Sequence, residues 1–295
     1  DDDKKKATGI EYIDTTTGER QELKASIVFV NASALNSNLI LLNSTSDRFP
    51  NGLGNDHDIL GRYIGFHNYR GWTSGKFEGF KDTYVYGRNP SELILANYRN
   101  VYKHDMPFVG GYTIFSGASR PRNQEAPENG PGIGADYKEG LRLPGDWQAY
   151  MYMQGETIPK ASNRVYLSKT DKDPWGIPQL VTDVNYDDND ELMVQDFLTE
   201  SKAMFETMGC TDIEQNDSKQ APGLDIHEMG GCRMGTDPKT SMLNEHNQLH
   251  LCKNVFVTDG ACMTSTGNQS PSLLYMALTA RAATYAAEQL KAQQL

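Results

Sequence analysis

The N-terminal part of the chain alternates between apolar and polar positions, a pattern typical of β-strands. Residues 9–13 and 21–24 follow it on either side of a polar turn and predict a hairpin. The apolar run 26–30 then predicts a short strand buried on both faces, as in a parallel sheet. The small residues 31–34 lead into a helix with an apolar side that begins at Leu35. Strand, tight turn and helix together predict an α/β unit.

The middle of the chain has a different pattern, because Gly, Tyr and Asn separate short alternating segments from about residue 67 to 154. Segments 77–86 and 92–98 predict strands of an antiparallel sheet. Residues 116–134 contain too many Pro and Gly for regular structure and predict a long loop. The glycines of this loop neither follow a strand nor open a helix, so they do not form a dinucleotide-binding fingerprint.

The last third of the chain combines helical periodicity with a second buried strand. Apolar residues recur at helical spacing over 190–208, and Gly209 follows as a stop signal. The run 254–258 predicts the strand, and Pro271 opens a final helix that extends towards residue 290. These elements again favour the α/β class.

Composition and charge argue against several classes of function. The 295 residues include 28 Lys and Arg against 39 Asp and Glu, a formal net charge of -11, which disfavours a nucleic-acid-binding protein. The longest apolar run, around 39–42, is far shorter than the roughly 20 residues that span a bilayer. No signal peptide is visible, and the compartment, cytoplasm or periplasm, stays open. The four cysteines lack C-x-x-C spacing, so we expect free thiols and no metal site.

The residues with a chemical signal lie near the C-terminus, in the stretches 225–238, 255–261 and 265–273. The first places His227 just before a small-residue turn, and the second is a strand that ends at Asp259. The third leads into the last helix. A parallel strand that ends beside a helix N-terminus is where α/β proteins bind anionic cofactors.

These stretches resemble the C-terminal half of the glucose-methanol-choline (GMC) flavin oxidoreductases. In that family a His precedes G-[TGS]-C-R-M-G-x-D-P, an F-V-x-D-[GA] strand follows, and a turn with Asn or His before Pro opens the final helix. Residues 7–42 resemble its V-x-A-A-G-A-x-x-[ST]-x-x-L-L segment, and 51–55, 60–67 and 155–178 are similar to further family segments. The resemblance is greatest to the bacterial sugar and gluconate dehydrogenases, which are related to pyranose oxidase.

The resemblance implies that a His takes the alcohol proton while hydride leaves the carbinol carbon for flavin N5. His227 is the expected base by its place in the motif, a role that suits a side chain with a pKa near neutral pH. The alternative is a hydrogen-bonded packing residue before a Gly-rich turn. The family's second substrate-binding residue, Asn or His before the Pro, is Ser270 here, with Asn268 two positions earlier. Ser270 followed by Pro271 is equally an ordinary helix start, so both interpretations stay open.

The resemblance also implies where FAD is bound. The helix that begins at Pro271 is expected to direct its positive end at the flavin pyrimidine. The other contacts are expected near the diphosphate at Ala32, Ser33 and Ala34, and beside the ribityl chain at Asp259 and Gly260. The family usually has Gly where this chain has Ser33, so we expect a closer backbone approach to be lost there.

The Rossmann G-x-G-x-x-G segment with which the family begins does not occur in this sequence. We therefore expect the chain to be the C-terminal half of a GMC enzyme and, alone, to lack the strongest FAD contact. The expected fold is α/β, or α+β overall. Residues 1–66 and 216–295 are assigned to part of a Rossmann-like FAD domain, and 67–215 to a substrate domain with a mainly antiparallel sheet and packed helices. His67 is expected to cap the crossover between them, and the other histidines to be surface or packing residues.

The function implied for the intact protein is FAD-dependent oxidation of a CH-OH group in a sugar, sugar acid or polyol. Its expected partners are that substrate, a missing N-terminal half, and an electron-acceptor protein or a quinone. No nucleic-acid partner and no membrane span are expected. The alternative is a non-catalytic carbohydrate-binding or assembly component that has lost flavin binding. The Ser at position 270 and the missing nucleotide-binding segment favour that alternative.

Overall fold

The structure is a computed structural model, and it describes residues 1–3, 5–83, 92–120, 133–142, 144–224 and 226–295. By their contacts the residues form two units. Unit 1 comprises 1–67, 157–186 and 221–295, and unit 2 comprises 68–156 and 187–220.

The strands and helices are short except for two helices. The strands, in chain order, are β1 (Gly9–Ile13), β2 (Arg20–Lys24), β3 (Val28–Val30), β4 (Arg62–Gly65), β5 (His67–Asn68), β6 (Gly71–Phe77), β7 (Leu93–Tyr98), β8 (Tyr112–Ser119), β9 (Trp147–Glu156), β10 (Arg164–Lys172), β11 (Pro178–Asp183), β12 (Thr211–Asp217), β13 (Met229–Gly231) and β14 (Val255–Val257). The helices are α1 (Ala34–Asn43), α2 (Ala135–Gly140), α3 (Asp188–Met208) and α4 (Ser272–Lys291), with a short 3₁₀ helix at Gly260–Cys262.

Unit 1 contains three small sheets around an apolar core. β1 and β2 form an antiparallel hairpin, and β11, β10, β4 and β13 form an antiparallel sheet in that order. β3 and β14 pair in parallel, with Val28 opposite Val255. All of β14 is buried, and its valines share one core cluster with Leu41 of α1 and Leu278 of α4. β3 differs, because Val30 is buried whereas Phe29 is 37% exposed. The predicted burial of this strand on both faces is therefore wrong for β3, although β14 has it.

Unit 2 is an antiparallel sheet, in the order β12, β6, β9, β8 and β7, with α3 packed against it. Phe197 and Phe205 of α3 are fully buried. A Cβ atom on Gly71 would lie 2.5 Å from the Phe197 ring, and one on Gly75 would lie 2.8 Å from the Phe205 ring. The two glycines of β6 thus leave the room that these large helix side chains occupy.

Local signals at both ends explain where α3 begins and ends. The Asp187 carboxylate accepts hydrogen bonds from the N–H groups of Asn189 and Asp190, and Asp190 accepts one in return from the Asp187 N–H. This capping box starts the helix, and Gly209 ends it with a left-handed φ of 77°. Within the described ranges, no helix is both long and apolar enough to cross a membrane.

The predicted α/β class with a mainly antiparallel second sheet is confirmed, but two further segments were predicted wrongly. Segment 77–86 is not one strand, because β6 ends at Phe77 and Phe80 has a φ of 54°, outside the strand region. The predicted loop 116–134 begins later, because 116–119 belong to β8, which pairs with β9. Residues 84–86 and 121–132 lie outside the described residues.

The predicted segments 1–66, 67–215 and 216–295 differ from the two units mainly at 157–186. These residues belong to unit 1 because β10 and β11 extend the sheet that β4 and β13 form there. The assignment of one unit to a cofactor and the other to a substrate stays a prediction.

Candidate active site

One strand pair brings together two histidines from distant parts of unit 1. β13 pairs with β4 in antiparallel register, with Met229 opposite Gly65. Continuing this register by two residues in each direction places His227 opposite His67, on the same side of the pair. The two imidazole Nδ1 atoms are 2.8 Å apart, and the ring planes are nearly perpendicular, at 87°.

His67 is the buried member of this pair. Its Nε2 atom lies 3.3 Å from the carbonyl oxygen of Thr266 and 3.2 Å from that of Gly267. Burial and, after it, the charge of His227 lower the pKa of His67 to about 4, so the ring is neutral at pH 7. The sequence predicted that His67 caps a domain crossover, and it did not predict the contact with His227.

His227 is half-buried and has a strained backbone. Its φ is 72°, uncommon for a residue other than glycine, and such strain is concentrated at functional sites. Burial lowers the pKa of His227 below its ordinary value of 6.5. The neutral imidazole, which is the form that accepts a proton, therefore persists to a lower pH than in water.

The loop that holds His67 is itself anchored. The Thr266 hydroxyl donates to the carbonyl oxygen of Thr157, at 3.2 Å. The Thr157 hydroxyl in turn accepts from the Phe66 N–H at 3.0 Å and donates to the Phe66 carbonyl at 2.5 Å. The residue that precedes His67 and the loop opposite it are therefore joined through one buried threonine.

The same loop carries the other predicted catalytic residues. Asn268 follows Gly267 directly and is partly buried, whereas Ser270 is exposed. α4 begins at Ser272, and the buried Pro271, rather than Ser270, occupies its N-cap position. The structure thus places Asn268 beside a residue that contacts His67, and the roles of Asn268 and Ser270 stay predictions.

The predicted cofactor-binding residues meet at the ends of the two parallel strands. The chain leaves β3 at Asn31 and β14 at Thr258, and both the N–H and the hydroxyl of Thr258 donate to the Asn31 side-chain oxygen at 3.0 Å. Ala32, Ser33 and Ala34 follow the first strand, and Asp259 and Gly260 follow the second. Parallel strands that end together form the edge at which α/β proteins bind ligands.

Ser37 joins these two segments. Its hydroxyl accepts from the Ala32 N–H at 3.0 Å and donates to Asp259 Oδ2 at 2.5 Å. The other Asp259 oxygen accepts from the Ala261 N–H at 3.0 Å. Burial raises the pKa of Asp259, and these hydrogen bonds only partly oppose the rise. A Cβ on Gly260 would lie 2.5 Å from the Glu228 carbonyl oxygen, so the backbone at Gly260 passes close to the backbone at Glu228.

The start of α1 has the donors that a phosphate needs. Ser33 precedes the helix with a φ of 74°, and its side chain does not cap the first turn in the described structure. The first backbone N–H groups of a helix lack partners within it, and the helix dipole adds positive potential at that end. Glycine adopts this backbone conformation more easily than serine, which explains physically why the family has Gly there. The residues therefore fit a cofactor with a phosphate group, such as FAD.

Two residues of this region were not among the predicted site residues. His67 ends the 60–67 stretch and Ser37 occupies the [ST] position of the first family segment, so both lay inside segments that the resemblance had already identified. No local pattern shows that the strand pairing places His67 against His227.

The remaining histidines of unit 1 have other surroundings. His246 stacks on Tyr285 with ring centroids 3.9 Å apart, and His250 Nε2 lies 3.1 Å from the Ser241 hydroxyl. Among the described residues, no group of three or more His, Cys, Asp and Glu is arranged to hold a metal ion.

Known proteins share this fold along almost the whole chain. A crystal structure of formate oxidase from Aspergillus oryzae RIB40, concerned with modification of its FAD, has a TM-score of 0.65 and 12% sequence identity. The match covers 99% of this chain and 59% of the oxidase. At this identity the likeness shows the fold alone.

Sequence comparison finds similarity to one known family. The family model for GMC oxidoreductases matches residues 159–279. The 2-methyl-1,2-propanediol dehydrogenase of Mycolicibacterium austroafricanum is 29% identical over 95% of this chain and 51% of its own length. The fructose dehydrogenase large subunit of Gluconobacter japonicus is 26% identical over 96% of this chain and 51% of its own length. The chain spans about half the length of these relatives, and its residues 159–279 are similar to the GMC oxidoreductase family.

Proposed function

We propose that this chain is part of an FAD-dependent oxidoreductase that oxidises a CH-OH group of a sugar, sugar acid or polyol. The observation that carries the proposal is the contact between His227 and His67, beside the loop that leads into α4. The names of the two relatives support the substrate class, because one is a dehydrogenase of a diol and the other of fructose.

His227 acts as the base in this proposal. Its lowered pKa keeps the ring neutral near pH 7, so it can take the hydroxyl proton of the substrate. FAD, when bound, accepts the hydride from the carbinol carbon at N5. Asn268 or Ser270 polarises the substrate oxygen by a hydrogen bond, and the start of α4 at Pro271 adds positive potential at the flavin pyrimidine.

The strand-end residues hold the cofactor in this proposal. The N–H groups at the start of α1, near Ala32, Ser33 and Ala34, would bind the diphosphate, and Asp259 and Gly260 would hold the ribityl chain. Ser37 keeps Asp259 in place through its hydroxyl. A carrier protein or a quinone receives the electrons, and the large-subunit name of the fructose dehydrogenase supports assembly with further chains.

The alternative function is a non-catalytic carbohydrate-binding or assembly component. Ser270, at the position where the family has Asn or His, is the observation that favours it. The absorption spectrum of the purified protein, before and after FAD is added and excess removed, separates the two. A retained flavin band supports the oxidoreductase. A full-length protein that remains colourless after FAD is added and the excess removed supports the alternative.

The base role is tested by His227→Ala in the FAD-loaded holoenzyme. We expect the anaerobic rate of flavin reduction by substrate to fall by about 10²–10⁴-fold, the usual contribution of a positioned general base. His57→Ala is the matched control, because His57 is an exposed histidine of the same unit. An unchanged reduction rate in His227→Ala would exclude the base role.

A further inference from the structure

The contacts of His67 determine which of its ring nitrogens carries the proton. Its Nε2 faces the carbonyl oxygens of Thr266 and Gly267, which accept hydrogen bonds and never donate them. Nε2 must therefore carry the hydrogen. Because the buried ring is neutral at pH 7, its other nitrogen, Nδ1, has a lone pair and is an acceptor.

The proton position on His227 follows from that on His67. The Nδ1 atoms of the two rings are 2.8 Å apart, a hydrogen-bond distance. Since His67 offers a lone pair at this contact, His227 must be the donor and carry its hydrogen on Nδ1. In the neutral His227 ring the lone pair, and with it the basicity, then lies on Nε2.

We infer that His67 is a positioning residue for His227: it accepts a hydrogen bond from His227 Nδ1–H and so selects the tautomer in which Nε2 is the basic atom. The inference deepens the proposed function and rests on it for the consequence in catalysis. The tautomer itself depends only on the contacts of the two rings.

The surroundings of His67 strongly favour the tautomer with hydrogen on its Nε2. The ring is 1% exposed, so water does not compete for either nitrogen. The other neutral tautomer of His67, with hydrogen on Nδ1, would place the Nε2 lone pair against the two carbonyl oxygens, which is unfavourable. The Thr266 carbonyl is held in turn by the bond from the Thr266 hydroxyl to Thr157. A base with its proton on the wrong nitrogen loses most of its activity even when its position is unchanged.

The tautomer can be measured directly by ¹⁵N NMR of the histidine rings, because protonated and unprotonated ring nitrogens have well-separated shifts. The expected spectrum of the protein labelled with ¹⁵N-histidine shows His227 with hydrogen on Nδ1 and His67 with hydrogen on Nε2. His227→Ala and His67→Asn, each lacking one ring, assign the signals. A neutral His227 with its hydrogen on Nε2 overturns the inference.

Two substitutions of His67 separate positioning from packing. His67→Asn keeps an acceptor oxygen near the position of Nδ1, so His227 should retain hydrogen on Nδ1. His67→Phe keeps a buried ring but has no acceptor, so hydrogen should move towards Nε2 of His227. If both variants have the same His227 tautomer, the inference is wrong.

The consequence for catalysis is tested in the FAD-loaded holoenzyme. We expect the rate of flavin reduction by substrate to be about tenfold lower in His67→Phe, which corresponds to the loss of one hydrogen bond. In His67→Asn the rate should be closer to that of the wild type. A changed tautomer with an unchanged rate overturns the positioning role. The proposed function is judged separately, because His227→Ala tests the base whichever tautomer is found.

Discussion

Arg70 in unit 2 and His67 in unit 1 are basic side chains of similar burial, 3% and 1% exposed, with opposite kinds of partners. The Arg70 guanidinium bonds two carboxylates, with Nε 2.9 Å from Asp217 Oδ1 and Nη2 3.0 Å from Glu191 Oε2. His67 instead contacts two carbonyl oxygens and the His227 ring. Carboxylates keep the arginine charged, whereas burial and, after it, the charge of His227 keep the histidine uncharged. The first arrangement provides a fixed charge for the fold, and the second controls where a proton is held.

Removing the fixed charge should have the largest effect on stability. Arg70→Leu removes several charge-assisted hydrogen bonds to Glu191 and Asp217 at once and leaves these carboxylates with Lys219, a loss of about 3–5 kcal/mol. We therefore expect the free energy of unfolding to fall by about this amount in urea denaturation. Arg20→Leu is the control, because the Arg20 and Glu11 side chains are 57% and 51% exposed and such pairs contribute little.

The carboxylates of the Arg70 cluster should titrate differently in that variant. Burial raises the pKa of Asp217, but hydrogen bonds from Arg70 and Lys219 outweigh it and lower the pKa to about 2. In Arg70→Leu we expect this pKa to rise towards its ordinary value. If Arg70→Leu and Arg20→Leu were equally stable, the view of Arg70 as a structural charge would be wrong.

The second prediction concerns the pH dependence that a neutral buried histidine creates. The pKa of His67 is about 4 in the folded protein and 6.5 in the unfolded chain. As the pH falls from 6.5 to 4, the unfolded chain binds this proton and the folded protein does not, so the free energy of unfolding decreases. The loss reaches up to about 3 kcal/mol near pH 4 and does not increase below it.

His67→Asn isolates this effect, because asparagine does not titrate over that range. The carboxylates, including Asp217, are common to both proteins and cancel in the difference between their unfolding free energies. The unfolding free energy of His67→Asn, relative to that of the wild type, should therefore increase as the pH falls from 7 towards 4. Parallel pH profiles for the two proteins would show that His67 is not held neutral by the fold.

The same contrast explains which parts could be predicted from sequence. α3 depends on signals within a few residues of one another: an Asp at the N-cap, apolar positions at helical spacing and Gly209 at the end. His227 was identifiable because it lies in a contiguous motif. Its contact with His67 depends instead on how β4 pairs with β13, and the two histidines are 160 residues apart in sequence. The register of a pair of three- or four-residue strands is set by tertiary packing, so no local pattern contains it.

A substitution at Gly65, two residues before His67, should disturb the histidine arrangement through the backbone. A Cβ on Gly65 would lie 2.8 Å from the Thr266 side-chain methyl carbon, Cγ2, and 3.4 Å from Pro159. Gly65→Ala should therefore displace Thr266, whose carbonyl accepts a hydrogen bond from His67. We expect the free energy of unfolding to fall by about 1–3 kcal/mol, as is typical of overpacking in a core.

Thr266→Ser provides the matched test, because serine lacks Cγ2 but keeps the hydroxyl that donates to Thr157. The double variant Gly65→Ala/Thr266→Ser should recover most of the stability that Gly65→Ala loses, a coupling that neither single change explains. The ¹⁵N signals of His67 and His227 should change in Gly65→Ala and return towards the wild type in the double variant. Additive losses of stability would instead mean that Gly65 and Thr266 act independently, and that the loop does not set the position of His67.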